Sequence, residues 1–340
     1  MNPALDPARF EGEVDGRRTG LYRLNNGQGL SVAITNLGAK VLELQVPDRH
    51  GQAGNVVLGY PSLADVLAGS PSMGAFIAPY AGRIGHARFT AQGRTCTLGA
   101  NDGPHCLHGG QAGSRHRVFE VLHHDARTLQ LRLDLPARDT GWPAGLRLDL
   151  SYQVDDDQAL RMVYRVSSDG AACPVSVTSH AFFNLAGAAA PTVDDHWLQL
   201  WADETLVATP DNVATGERLS LAGHRLDLRA PRRLGDLGPV DSAFVLSAPA
   251  APGEERWCAR LGCDATGRLM DTWSTEPVLQ LYTGDKLPAP HRPRAGVCLE
   301  PQHYPNAPNC PAFPVQWAEP GRPVRGSTRY RFGVDGARRP

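Results

Sequence analysis

TLQLRLDL, residues 128–135, sets a leucine at every second position, with Gln130, Arg132 and Asp134 between them. A repeat of two is the signature of an extended strand with one buried face; an amphipathic helix would repeat every 3.6 residues. The same alternation returns in LRLDLSYQV (146–154) and LRMVYRV (160–166), separated by the polar turn DDDQA (155–159). Two alternating runs joined by a short polar turn predict an antiparallel hairpin.

Working outward, strand-type alternation appears in LSVAITNLGAKVLELQVP (30–47), RFTAQGRTCTL (88–98), WLQLWAD (197–203), PVLQLYTG (277–284) and RYRFGV (329–334). Helical signal is thin: PSLADVLAG (61–69) offers Ser62 as a cap and Leu63, Val66 and Leu67 along one face. There is no βαβ rhythm, no repeat of 20 to 50 residues and no low-complexity linker. SAPAAPGEERW (247–257) is the most loop-like stretch, and strand-type sequence resumes after it. With 340 residues and 41% apolar composition the chain has enough material for two cores. The uninterrupted alternation nonetheless predicts an all-β fold, one large antiparallel β-sandwich with few short helices, as a single domain over residues 1–340.

Composition narrows the function classes. Net charge is −1, Arg residues are interspersed with acids, and Lys occurs only at Lys40 and Lys286, so no basic face is expected to meet nucleic acid. The N-terminal MNPALDPARFEGEVDG lacks the charged and apolar regions of an export signal, and no run reaches the roughly 18 apolar residues of a membrane span. Seven cysteines, odd in number, irregularly spaced and without a C-x-x-C pair, fit reduced thiols in a cytoplasm better than a disulfide framework or a zinc site.

Three polar groups stand where a plain core would not need them. His108 in PHCLHGG precedes Gly109 and Gly110, which permit a sharp turn and close approach of a ligand. In SVTSHAFFNLAG (176–187), alternation puts Ser176, Thr178, His180, Phe182 and Asn184 on one face, part aromatic and part hydrogen-bonding, the mixture a sugar ring and its hydroxyls require. Glu300 follows Val297, Cys298 and Leu299 and precedes Pro301, which is expected to end the strand with the carboxylate at the sheet rim. Desolvation by Val297, Leu299 and Tyr304 would raise its pKa toward the range of a general base. Arg83, Asp241 and Gln280 are further polar candidates in strand-like settings.

The order of these pieces, with ITNLGAKVLELQVPDRHG, YAGRIGHARF, LHGG, GWPAGL, SHAFFNLAG, DSAFVL, LQLYTGDKL and GVCLEPQHYPNAPN, resembles the aldose 1-epimerase (galactose mutarotase) family nearly end to end. The resemblance implies a β-supersandwich, Glu300 as general base and His180 as general acid, with Arg83, His108, Asp241 and Gln280 holding sugar hydroxyls. It implies a small monosaccharide substrate, no metal and no cofactor, and a cytoplasmic monomer or homodimer without nucleic-acid or membrane partners. Anomer exchange by ring opening needs only a base at the C1 hydroxyl and an acid at the ring oxygen. One departure is visible: where the family often has G-R-x-x-N-R-I, Pro79 and Gly82 replace the first arginine and the asparagine, while Arg83 is kept. Loss of that amide bears on sugar preference rather than on reaction type.

Three other readings compete. A hexose-6-phosphate 1-epimerase on the same fold would need cations for the phosphate, with Arg292 and Arg294 as candidates. A sugar-binding protein would keep the pocket without catalysis. A zinc hydrolase would need a third ligand beside His105 and His108, or beside His123 and His124.

Overall fold

The leucine alternation closes as predicted. Leu129, Leu131, Leu133 and Leu135 are buried, Gln130 and Asp134 are exposed, and Thr128–Leu135 pairs in register with Leu146–Val154, which pairs in turn with Ala159–Ser168. Burying each such leucine contributes about 1.5–3 kcal/mol. These strands belong to a nine-stranded antiparallel sheet in the spatial order Glu120–His124, Thr128–Leu135, Leu146–Val154, Ala159–Ser168, Val324–Val334, Arg268–Ser274, Arg256–Cys263, Trp197–Leu200 and Arg232–Arg233. The computed structural model describes residues 4–70, 72–247, 251 and 253–335.

A second antiparallel sheet runs Phe182–Phe183, Val297–Gln302, Val278–Tyr282, Asp241–Leu246, Ala202–Ala208, Ala214–Ser220. Its strands use both faces. Val297, Leu299, Leu279, Leu281 and Phe244 join the same core cluster as the leucines of the larger sheet, and the Tyr330 hydroxyl donates to the Leu299 carbonyl at 2.9 Å. Alternation then forces Cys298, Glu300, Gln280, Tyr282 and Asp241 onto the opposite face. The fold is thus a large antiparallel β-sandwich whose smaller sheet turns a polar face away from the core.

The predicted helix forms over Leu63–Ala68, with the Ser62 hydroxyl accepting from the Asp65 amide at 3.2 Å. Val66 is buried as expected, but Leu67 is 57% exposed, so the apolar face is narrower than predicted. A second short helix, Ala137–Thr140, ends at Gly141 in the left-handed region and had no clear sequence signal. Residues 248–250 and 252 of the loop-like stretch lie outside the described residues, and the strand Arg256–Cys263 follows it. Among the described residues no helix is long and apolar enough to cross a membrane.

The 176–184 run departs from its prediction. It is not one strand but breaks into two-residue ladders at Thr178–Ser179 and Phe182–Phe183, the first pairing with Phe76–Ile77 and the second with Val297–Cys298. Of the five residues expected on one face, only His180 and Phe182 reach the cavity described below. Ser176 instead bonds the backbone of His303, and the Asn184 amide donates to the Ala295 carbonyl.

Candidate active site

Strand register assembles the polar face. Gln280 stands opposite Glu300, and Ala243 opposite Gln280, so Asp241 lies two residues away on the same side. On the other flank Phe182 pairs with Cys298. Continuing that register by two residues sets His180 opposite Glu300. Three groups from three chain segments, His180, Glu300 and Gln280, therefore fall along one row, with Asp241 on the same face one pleat repeat away, because neighbouring strands share a pleat.

Glu300 is 2% exposed, and its Oε1 lies 3.9 Å from His180 Nε2. Its strand does not stop at Pro301: pairing continues through Leu279 opposite Pro301 and Val278 opposite Gln302. The expectation of a rim carboxylate is corrected. On that side the Phe182–Phe183 strand meets Cys298 and Val297, so its ladder along this flank ends before Pro301. Burial raises the Glu300 pKa well above the usual carboxylate range, and the Asp241 charge adds to it. Val297 and Leu299 face the core on the other side of the strand, so they are not the desolvating groups.

His180 is held by its backbone, its N–H donating to the Ala75 carbonyl and its carbonyl accepting from Gly74. Nδ1 faces Cys298 Sγ at 3.5 Å, leaving Nε2 toward Glu300 and the cavity. Burial lowers its pKa to about 4, with the positive charges of Arg115 and Lys40 acting in the same direction.

His108 sits at φ +56 and is followed by Gly109 and Gly110, both also at positive φ. The turn carries the ring back onto Gly82, whose N–H donates to Nδ1 at 3.2 Å while its carbonyl accepts from the His108 amide at 3.0 Å. With Nδ1 accepting, the neutral ring carries its proton on Nε2 and serves as a donor. Burial, then the charges of His180, Arg115 and Arg83, hold it neutral. Arg83 is oriented by Asp102, with Nε to Oδ2 at 2.7 Å. Asp241 accepts from Gln280 Nε2 at 2.7 Å and from Asn212 Nδ2 at 2.5 Å, which fixes both carboxylate oxygens.

All six predicted residues line one cavity of about 460 Å³, a size suited to a small polar ligand. Sequence reasoning missed Asn212, Tyr282, Lys286 and Gln302, which line it too. Tyr282 lies two residues beyond Gln280, so alternation from that residue would have found it. Asn212 comes from the loop after Ala202–Ala208 and carries no local signal. A second hollow of about 530 Å³ opens beyond Arg83 and Asp241, lined by Asp102, Asp211, Asp285, Arg225 and Lys286 among others.

Other candidates go elsewhere. Arg292 and Arg294 do not line either hollow. Arg294 is bound to Asp194 at 2.6 Å, to Asp285 at 3.0 Å and to the carbonyls of Leu234 and Gly238. The zinc pairs also separate: His105 is engaged by Asp211 and by the His86 amide, His123 by Asp125, and His124 by the Arg23 carbonyl.

Known proteins resemble this chain along most of its length. The profile described as aldose 1-epimerase matches residues 20–331. Human galactose mutarotase is 33% identical over 323 residues, covering 90% of this chain and 92% of that protein. Aldose 1-epimerase of Escherichia coli K12 is 29% identical over 350 residues, covering 97% and 98%. Among solved structures, an aldose epimerase homologue from C. elegans superimposes with a TM-score of 0.88 at 26% identity, covering 93% of this chain and 99% of that one. Galactose 1-epimerase from Lactobacillus acidophilus shares the fold, with a TM-score of 0.81 at 20% identity. With the match running along nearly all its length and through the strands that build the cavity, this chain belongs to the aldose 1-epimerase family.

Proposed function

We propose that the protein interconverts the α and β anomers of a free aldose such as galactose or glucose, with Glu300 as general base and His180 as general acid. The supporting observation is the 3.9 Å approach of these two buried side chains on the floor of a cavity ringed by Arg83, His108, Asp241 and Gln280. Glu300 removes the C1 hydroxyl proton, the O–H electrons form the C1 carbonyl, and the C1–O5 bond breaks with its electrons going to O5. O5 then takes a proton from His180 Nε2. Rotation about C1–C2 presents the other aldehyde face. Closure runs the same transfers backwards, so atoms and charge balance over the cycle.

Burial explains why this pair suits a reversible reaction. It opposes the carboxylate and the imidazolium alike, so the site favours zero net charge. Glu⁻ with HisH⁺ and GluH with neutral His carry the same number of protons. Ring opening converts the first arrangement into the second and closure restores it, with no net charge change in a desolvated site. Each well-placed proton transfer contributes about 10²–10⁴ in rate. His108 Nε2–H and the Arg83 guanidinium supply donors to sugar oxygens, and Asp241 an acceptor.

The second hollow sets Asp102, Asp211, Asp285 and Asp241 against Arg83, Arg225 and Lys286. That balance, and the removal of Arg292 and Arg294 from the site, favours a neutral sugar over a phosphorylated one. A binding protein without catalysis would have no use for both proton-transfer groups. We also read the chain as one catalytic domain, working as a monomer or homodimer in a reducing cytoplasm, a setting that suits seven free thiols.

The test is anomer exchange followed by polarimetry or NMR for galactose, glucose and glucose 6-phosphate. Wild type should accelerate the free sugars over buffer, and Glu300→Gln and His180→Asn should each lower kcat by about 10² or more. Near-normal turnover in either variant would reassign the roles.

A further inference from the structure

We propose that His180, Cys298 and Glu300 form a binding site for a thiophilic divalent cation, with zinc as the reference ion, and that its occupation blocks the active site. The inhibitory half of this rests on the acid–base reading above; the binding half stands without it. Cys298 is fully buried against the His180 ring, Sγ to Nδ1 at 3.5 Å, and takes no part in the proton transfers. Alternation along Val297–Gln302 puts its sulfur on the same side as the Glu300 carboxylate, and the neighbouring ladder brings His180 to both.

One donor atom from each of the three lies within 4.8 Å of the others. Cys298 Sγ is 3.5 Å from His180 Nδ1, and Glu300 Oε1 is 3.9 Å from His180 Nε2. In tetrahedral zinc sites, bond lengths of about 2.0–2.3 Å separate ligand atoms by about 3.3–3.6 Å. These two approaches use different nitrogens of one ring, so a single ion would take one of them; the three donor atoms, within 4.8 Å of one another, would reach coordinating distance by rotation of the Cys298 and Glu300 side chains. The fourth position would face the cavity and a water.

The ligand set is selective. Thiolate and imidazole favour zinc and other soft or borderline cations, whereas magnesium and calcium need an oxygen shell that one carboxylate cannot supply. Charge closes as well. A thiolate, a carboxylate and a neutral imidazole balance a dication, so the buried complex is neutral; the thiol proton and the one proton shared by Glu300 and His180 both leave to solvent on binding. The bound ion would hold the carboxylate and the imidazole in its coordination shell, leaving neither free to accept or donate a proton.

The experiment is titration of the full chain with zinc alone, against a chromophoric chelator and without sugar. The expected result is one ion per chain, competition by galactose, and affinity reduced at least about 100-fold in Cys298→Ser. Cys96, the one cysteine that is partly exposed, serves as control, and Cys96→Ser should bind as wild type does. Cobalt supplies a second readout on the unmutated chain, where a thiolate-to-metal charge-transfer band is expected and magnesium should leave it unchanged. If Cys298→Ser misfolds, His180→Asn must abolish the band. No binding below about 0.1 mM zinc, or binding with no thiolate band, would overturn the proposal. Anomer exchange that persists with zinc bound would overturn the inhibitory half. Zinc binding in a chain that fails to exchange anomers would leave the site standing and remove the epimerase assignment instead.

Discussion

Glu300 and His180 experience the same desolvation with opposite consequences, which fixes the sign of the pH dependence. Adding a second proton to the pair creates a buried positive charge, so the acid limb should fall below the ordinary histidine value, in the direction of the lowered His180 pKa of about 4. Removing the last proton leaves a buried anion beside Asp241, so the alkaline limb should lie well above the ordinary carboxylate value. kcat is thus expected to change little across the range where an ordinary histidine titrates, and the limbs belong to the pair jointly. A steep rise centred near pH 6.5 would mean that an ordinary, solvated histidine controls the rate. Gly82 carries a second prediction at this scale. At φ +75 it sits where asparagine is tolerated, and a Cβ there would meet Pro305 Cβ at 3.1 Å. Gly82→Asn should therefore fold after a small shift of Pro305. An amide returned to the cavity wall should change the galactose-to-glucose ratio of kcat/KM by about 3- to 10-fold, the worth of one hydrogen bond.

At the level of elements, Arg294 illustrates how a sequence signal changes meaning. Arginines just before the Glu300 strand suggest an anion site, yet Arg294 fastens its loop to Asp194, Asp285 and two carbonyls. Arg294→Ala should destabilise the protein by about 1–3 kcal/mol in denaturant melts, because it removes four hydrogen bonds from a mostly buried guanidinium whose carboxylate partners keep part of their hydration. It should not alter the preference for a free over a phosphorylated sugar. Unchanged stability with altered preference would restore the phosphate reading. Pro301 shows the same limit: proline was expected to end a strand, but a residue whose missing N–H points to an unpaired flank costs the ladder nothing.

For the whole molecule, one apolar cluster contains inward residues of both large sheets, from Leu129 to Leu299 and Tyr330. A core shared in this way predicts one cooperative unfolding transition, coincident by calorimetry and by tryptophan fluorescence. Two separated transitions would contradict the reading of residues 1–340 as a single domain. The polar face that lines the cavity depends on this core, because Glu300 is aimed by Val297 and Leu299 packing behind it.

Strand content, hairpins and the capped helix were legible locally, since period-two leucines in 128–135 and a serine before Leu63 act within a few residues. The family pattern likewise named Glu300, His180, Arg83, His108, Asp241 and Gln280 from the chain alone. What local sequence could not carry was register between segments more than a hundred residues apart, which places His180 across from Glu300, brings Cys298 beneath both and swings Asn212 onto Asp241. Those contacts follow from which strands pair and how loops close over them. Such choices are settled by packing of the whole core, and no short stretch contains that information.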